Sequence, residues 1–348
     1  MAQTAAPSGW PDWWLRRGAL SWLLLPLAWL FSAMSAARRG CYRSGLCRAQ
    51  RLPVPVVVVG NLTVGGAGKT PLIAALAEGL RQAGWHPGIV SRGYGRNNAD
   101  DATLAVTASS DPVRCGDEPV LLARLTGCPV QVGRNRARAG RDLLAAHPQV
   151  DVLLSDDGLQ HLALARDVEL VVVDQRLWGN GLLLPAGPLR ESPQRRRDAT
   201  LGPDAVLRQI VGGGRHMPLT RTLGPLRRLD SEETLSLQQF AKRHAGSALG
   251  ALAGIGHPGQ FFAMLHAAGL PVQGVAVGDH QPLSEADFAA FAADSPVLIT
   301  EKDAIKSAHL PPALRARLWV VGLQLTLPAD LLPWLQHTLE NARGHPTA

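Results

Sequence analysis

The sequence predicts an α/β protein: a doubly wound, largely parallel sheet, followed by a smaller C-terminal α/β subdomain and preceded by a helix that associates with a membrane. Three observations carry this expectation. Between residues 52 and 200, short β-branched runs alternate with stretches of helical periodicity. A glycine-rich loop joins a valine run to an amphipathic segment at residues 60–70. Ahead of both lie twenty uncharged residues, Gly18 to Ala37, between the pairs Arg16-Arg17 and Arg38-Arg39.

The N-terminal segment, residues 1–51, holds seven arginines, no lysine and one acid, Asp12, so it carries +6 of the chain's +7. A nucleic-acid binder would show its basic surface on the folded body, and the excess here sits at one end. With 18% charged and 46% hydrophobic residues, the 348-residue chain is not disordered and can bury a large core. As a helix, Gly18–Ala37 would reach about 30 Å, the thickness of a hydrocarbon core. Pro26 and three serines weaken it as a span. Five of the nine tryptophans (Trp10, Trp13, Trp14, Trp22, Trp29) fall in the first 29 residues, where their rings would suit a headgroup layer. Basic flanks on both sides favour a helix resting on, or dipping into, an anionic cytoplasmic leaflet, with spanning left open. A cleaved signal peptide would require an exported body, whereas the nucleotide motif that follows needs cytosolic ATP. A helix packed on the protein's own surface is the remaining alternative. Cys41, Cys47, Cys115 and Cys128 have no CxxC spacing, so reduced thiols are expected rather than zinc or disulfides.

Residues 52–200 are expected to form the nucleotide core, with strands near 54–59, 88–91, 129–132, 150–155 and 168–174. Leu52 to Gly60, LPVPVVVVG, suits a buried parallel strand. Asn61-Leu62-Thr63-Val64-Gly65-Gly66-Ala67-Gly68-Lys69-Thr70 follows, and Leu72, Ile73, Leu76 and Leu80 then recur at helical spacing. Strand, glycine-rich loop and helix together make a phosphate-binding P-loop, giving a P-loop NTPase-like fold. Glycines let consecutive N–H groups face phosphate oxygens, and the helix N-terminus adds partial positive charge. Lys69 would reach the β- and γ-phosphates and the Thr70 hydroxyl would ligate Mg²⁺. The GxxxxGK[ST] pattern wants glycine at position 63, where this chain has Thr63. An ordinary glycine-rich turn is the plain alternative, and four consecutive valines before GGAGKT argue against it.

A second apolar run, Val150 to Ser155, ends in Asp156-Asp157-Gly158-Leu159-Gln160-His161. Acids at the C-terminal end of a buried strand face phosphates in such folds, and alternation predicts that Asp156 and Asp157 do different jobs. Gly116-Asp117-Glu118-Pro119 opens an expected helix, where acids ordinarily cap the N-terminus. Asp279-His280 follows the apolar run Val272–Val277, and a lone histidine there is usually a loop hydrogen-bonder. Thr300-Glu301-Lys302-Asp303 has the wrong order for guanine reading, which favours ATP over GTP.

These stretches, with Ser91-Arg92-Gly93-Tyr94-Gly95-Arg96 and Leu184-Pro185-Ala186-Gly187-Pro188-Leu189-Arg190-Glu191, resemble the tetraacyldisaccharide 4'-kinase family, the lipid A 4'-kinases of Gram-negative bacteria. They run in the family's order from about residue 53 to 306. Thr63 matches the family's own loop; Ala67 stands where threonine is usual and Ser192 where proline is usual. The resemblance implies transfer of the ATP γ-phosphoryl group to the 4'-hydroxyl of a tetraacylated glucosamine disaccharide 1-phosphate, giving the bis-phosphorylated lipid A precursor at the cytoplasmic face of the inner membrane. It implies ATP held by Thr63, Val64, Gly65, Gly66, Ala67, Gly68, Lys69 and Thr70, with Arg190 contacting phosphate. It further implies Asp117 as catalytic base with His280 as its partner, and Thr70, Asp157 and Glu191 around Mg²⁺. Asp156, Gln160 and His161 are implied as supports, and which of Arg134, Arg136 and Arg138 contacts phosphate stays open. Partners are then the glycolipid and membrane lipid, with no nucleic acid and no obligate protein partner.

Residues 201–244, with Gly212-Gly213-Gly214, read as a connector, with a β-ribbon as the alternative over 201–229. Residues 245–348 are expected as the C-terminal subdomain, with strands at 249–255, 272–277, 297–300 and 318–321 and helices near 259–268, 284–293 and 328–342. Two other functions fit parts of this pattern: a soluble P-loop kinase or ligase unrelated to lipid, and a membrane-recruited ATPase switch. Such switches carry lysine just before the paired glycines, where this chain has Val64.

Overall fold

The computed structural model describes residues 10–96, 102–279 and 281–343. They form two compact units, one of residues 10–220 and 326–343, the other of residues 221–325.

The first unit opens with helices α1 (Asp12–Leu15), α2 (Ala19–Leu23) and α3 (Leu25–Arg43). The uncharged stretch is thus two helices rather than one. They meet at Leu24, and Pro26, which has no N–H to donate, occupies the first turn of α3. Among the described residues no helix is long and apolar enough to cross a membrane, a question the sequence left open. The tryptophans also divide. Trp10 is buried and Trp13 and Trp14 are half-buried, stacked edge to face, while Trp22 and Trp29 are exposed.

The core follows as β1 (Val56–Gly60), α4 (Lys69–Gln82), β2 (Pro87–Ser91), β3 (Leu104–Val106), α5 (Pro112–Cys115), α6 (Asp117–Thr126), β4 (Val130–Val132), α7 (Arg136–Ala146), β5 (Val152–Asp156), β6 (Val168–Val172), β7 (Ala199–Gly202), α8 (Asp204–Leu207) and β8 (Arg215–Pro218). Among the described residues these strands make one eight-stranded sheet, ordered β3-β4-β2-β5-β1-β6-β7-β8. Only β3 runs antiparallel to its neighbour. Every residue of β1 and β5 is buried, as expected of central parallel strands covered on both faces. Leu72, Ile73, Leu76 and Leu80 of α4 are fully buried, each contributing about 1.5–3 kcal/mol. The parallel pairing sets Val59 opposite Asp156, so the loop after β1 and the acids after β5 leave the sheet at the same edge.

The second unit contains β9 (Thr220–Arg228), β10 (Thr234–Leu235), α9 (Leu237–Arg243), β11 (Leu249–Ala253), α10 (Pro258–Ala267), β12 (Val272–Ala276), β13 (Val297–Thr300), α11 (Glu301–Ile305), α12 (Pro312–Arg315) and β14 (Leu318–Thr326). Their sheet is ordered β10-β9-β14-β13-β11-β12.

Three expectations need correction. Residues 201–244 are not a connector: β7 and β8 extend the first sheet by burying Leu201 and Met217, and β9 and β10 form an edge of the second by burying Leu226 and Leu235. The helix expected at 284–293 shrinks to one 3₁₀ turn, Glu285–Phe288, because the Ser284–Asp287 capping box closes a single turn and Phe288 and Phe291 both fold inward. The last helix, α13 (Leu331–Arg343), belongs to the first unit rather than to a subdomain running to residue 348. Leu332 packs on Gly79 of α4 so closely that a β-carbon there would stand 2.5 Å from it. Arg343 lies 3.8 Å over the Trp85 ring and pairs with Asp151 at 2.6 Å.

Candidate active site

The glycine-rich loop spans Asn61 to Gly68. Gly65 and Gly68 have φ of +93° and +91°, a left-handed geometry that favours glycine. Thr63 lies outside that region and forms an antiparallel bridge with Leu189, so the loop needs no glycine at this position. The chain partner of the loop is residues 188–190: Val64 N–H donates to Pro188 O and Arg190 N–H to Leu62 O. Lys69, the first residue of α4, is buried, and its Nζ lies 3.1 Å from Asn61 Oδ1 and 3.6 Å from Asp157 Oδ1. Thr70 is half-buried beside it.

The two aspartates separate as alternation predicts. Asp156 is buried, and its Oδ2 accepts from Ser91 Oγ at 2.9 Å. Burial, reinforced by the nearby Glu118 charge, pushes its carboxyl up to about 7. Asp157, with φ +46°, turns toward Lys69 and accepts from Arg190 Nη1 at 2.8 Å. Burial alone would raise its pKa, but the two cations outweigh it and hold the carboxyl at about 2.

From Asp157 a polar chain runs outward. Arg190 also donates to Gln160 Oε1, Gln160 Nε2 donates to Glu191 Oε1 at 2.9 Å, and Arg195 reaches the same Glu191 oxygen at 2.8 Å. Arg39 of α3 approaches Glu191 Oε2 at 3.5 Å. Both oxygens of Glu191 are therefore held by side chains, whereas Asp157 Oδ1 is buried with no hydrogen-bond partner. His161 Nε2 accepts the Arg136 N–H at 3.3 Å, which leaves the ring proton on Nδ1. Burial, then the charges of Arg136 and Arg166, lower its pKa to about 4, so the ring is neutral near pH 7. The three candidate arginines differ in burial. Arg134 and Arg138 are exposed, while Arg136 is buried and donates to the carbonyls of Asp156 and Asp157 at 3.1 and 2.9 Å.

Asp117 opens α6 and is buried; its Oδ1 accepts the Glu118 N–H at 3.0 Å. Gly116 before it has φ +90°, and a β-carbon there would stand 2.8 Å from Tyr94 O. Glu118 acts on Asp156, so this helix start lies near the acidic strand end. His280 lies outside the described residues. In the second unit, Thr300 and Asp303 prove structural: Thr300 caps α11, and Asp303 is fully buried, accepting the Gly254 N–H and pairing with Lys306 at 2.9 Å. Cys115 and Cys128 are free, buried thiols whose pKa burial raises, which disfavours the thiolate.

Sequence reasoning missed Trp10, Arg39 and Arg176 as neighbours of this site. None carried a local signal; Arg39 and Glu191, for example, stand 152 residues apart.

The family model for tetraacyldisaccharide-1-P 4'-kinase matches residues 20–340. The tetraacyldisaccharide 4'-kinases of Herminiimonas arsenicoxydans and Janthinobacterium sp. (strain Marseille) are 47% and 48% identical, over 96% of this chain and 95% and 96% of theirs. The crystal structure of LpxK from Aquifex aeolicus in complex with ATP is 28% identical, with a TM-score of 0.75 over 92% of this chain and 99% of that one.

Proposed function

Because the chain belongs to the tetraacyldisaccharide-1-P 4'-kinase family, we propose a division of labour among its residues. The reaction moves the ATP γ-phosphoryl group to the 4'-hydroxyl of tetraacyldisaccharide 1-phosphate in lipid A biosynthesis. The bond from the 4'-oxygen to phosphorus forms as the bond to the bridging oxygen of ADP breaks, and the hydroxyl proton must leave. The observation that carries the proposal is Lys69 at the mouth of a loop built on Gly65 and Gly68, beside an ionised Asp157.

Loop amides and the Lys69 ammonium neutralise the β- and γ-phosphates. Arg190, already drawn to Asp157, adds charge to the transferring group. Asp117 accepts the 4'-hydroxyl proton. Arg136 and His161 fix the backbone that presents Asp157. Mg²⁺ fits the donors present: Asp157 Oδ1, which accepts no hydrogen bond, and the Thr70 hydroxyl are hard oxygens, and Mg²⁺ needs only one or two carboxylates besides phosphate. When bound it would neutralise phosphate charge. Glu191 acts behind them, orienting Gln160.

We also place the enzyme on the cytoplasmic face of the inner membrane, held there by α2 and α3. Leu20, Trp22, Leu23, Leu27, Trp29, Leu30 and Met34 expose apolar surface along them, and arginines follow at 38, 39 and 43. Incubation with Mg²⁺-ATP and tetraacyldisaccharide 1-phosphate should add one phosphoryl group by mass. Lys69→Ala should abolish the addition, and a wild-type chain that consumes ATP without phosphorylating the lipid would refute the assignment.

A further inference from the structure

A loop that turns its N–H groups toward an anion must turn its carbonyls the other way, and each carbonyl needs a donor once it leaves water. Here three consecutive outward carbonyls are held by three side chains, Asn61 of the loop itself and two from distant parts of the chain. Val64 O accepts from the Trp10 indole Nε1 at 2.9 Å. Gly65 O accepts from Asn61 Nδ2 at 2.9 Å. Gly66 O accepts from Arg176 Nη2 at 2.8 Å. Two of these donors also brace each other. The Arg176 guanidinium lies 4.2 Å over the Trp10 ring and is fixed from below by Asp174, at 2.6 Å from Nη2 and 3.1 Å from Nε. Trp10 is 7% exposed, and its indole nitrogen would stand 3.4 Å from a β-carbon at Gly65.

The segment carrying Trp10 is itself docked. Trp14 O accepts the Asn180 N–H at 2.7 Å, Arg17 Nε donates to Asn180 O at 3.0 Å, and Asn180 Nδ2 donates to Trp13 O at 2.9 Å. Gly179 permits this approach, since a β-carbon there would stand 2.5 Å from Trp14 O. The residues before α2 are therefore packed behind the phosphate loop.

We propose that Trp10 and Arg176 are positioning residues of the nucleotide site: they hold the peptide planes of residues 64–66 so that the following amides converge on the triphosphate. The stretch ahead of α2 is then part of the ATP site, and tryptophan is used because its ring packs against Arg176 while its N–H reaches a carbonyl. Neither residue needs to touch nucleotide.

This rests on the kinase reading, and Trp10→Phe isolates it, since phenylalanine keeps an aromatic ring and removes the donor. In the full-length protein, ATP and ADP should bind about fivefold more weakly and the KM for ATP should rise alike, the effect of one lost hydrogen bond. The KM for the disaccharide should stay at its wild-type value. Trp10→Ala and Arg176→Lys should weaken ATP about tenfold or more. Adenosine, which has no phosphate, should bind all these chains equally. Equal ATP affinity in Trp10→Phe and wild type overturns the proposal, as does an equal loss for adenosine, or a fall in melting temperature with both KM values rising together. A wild-type chain without ATP affinity would instead overturn the kinase reading, and this proposal with it.

Discussion

At the level of single residues, the site works by setting protonation states apart. Asp157 stays ionised because Lys69 and Arg190 outweigh its burial, while Asp117 is the residue we propose as proton acceptor. Asp117→Asn should lower kcat by about 10²–10⁴ while ATP affinity stays near wild type, as single-turnover and binding measurements would show. His161 gives a pH signature. Unfolded, it takes its proton near 6.5; folded, near 4. Between those values the unfolded chain binds more protons, so the contribution of His161 to stability falls as pH drops from 6.5 toward 4. Asp156 acts in the opposite direction, because its raised pKa favours the folded chain at low pH and that advantage fades as pH rises toward 7. His161→Gln should therefore flatten the acid side of a melting-temperature profile, by at most about 1 kcal/mol per pH unit once solvent screening of the half-buried ring is allowed for. An unchanged profile would mean that the ring is protonated in the folded protein.

The elements show why a motif's context matters more than its letters. Thr63 replaces a glycine without strain because residues 61–64 lie against 188–190 instead of turning alone. Gly79 shows the same dependence inside a helix, where glycine costs about 1 kcal/mol relative to alanine unless something packs in its place. Here Leu332 of α13 fills it. Gly79→Val should destabilise the fold by about 1–3 kcal/mol through overpacking, and Leu332→Ala in the same chain should recover part of that loss. Denaturant unfolding of the two single variants and the double variant would measure the coupling; strictly additive losses would separate α13 from α4.

Over the whole molecule, the basic excess and most of the exposed large apolar residues among those described belong to one end of the chain. The exposed side chains of α2 and α3 end at Arg38, Arg39 and Arg43, the pattern of a helix pair that lies on an anionic surface. The protein should float with vesicles containing anionic lipid, less so as salt rises, and weakly with zwitterionic vesicles. Replacing Trp22, Trp29 and Leu30 together by serine should reduce vesicle binding about tenfold or more and leave ATP affinity unchanged. Retention of binding in that variant would move the membrane contact elsewhere.

The sequence by itself determined the central strands, the phosphate loop and the acids after β5, because each depends on periodicity and turn chemistry within about twenty residues. Only the tertiary structure decided that the uncharged N-terminal stretch breaks at Leu24, that residues 201–244 join two sheets, and that α13 returns to the first unit. It alone brought Arg39 to Glu191, Trp10 to Val64 and Arg136 beneath Asp157. The reason is physical. A helix or a loop reports its own hydrogen bonds in neighbouring residues, whereas the partner of a buried charge or of an outward carbonyl is whichever segment the topology carries past it.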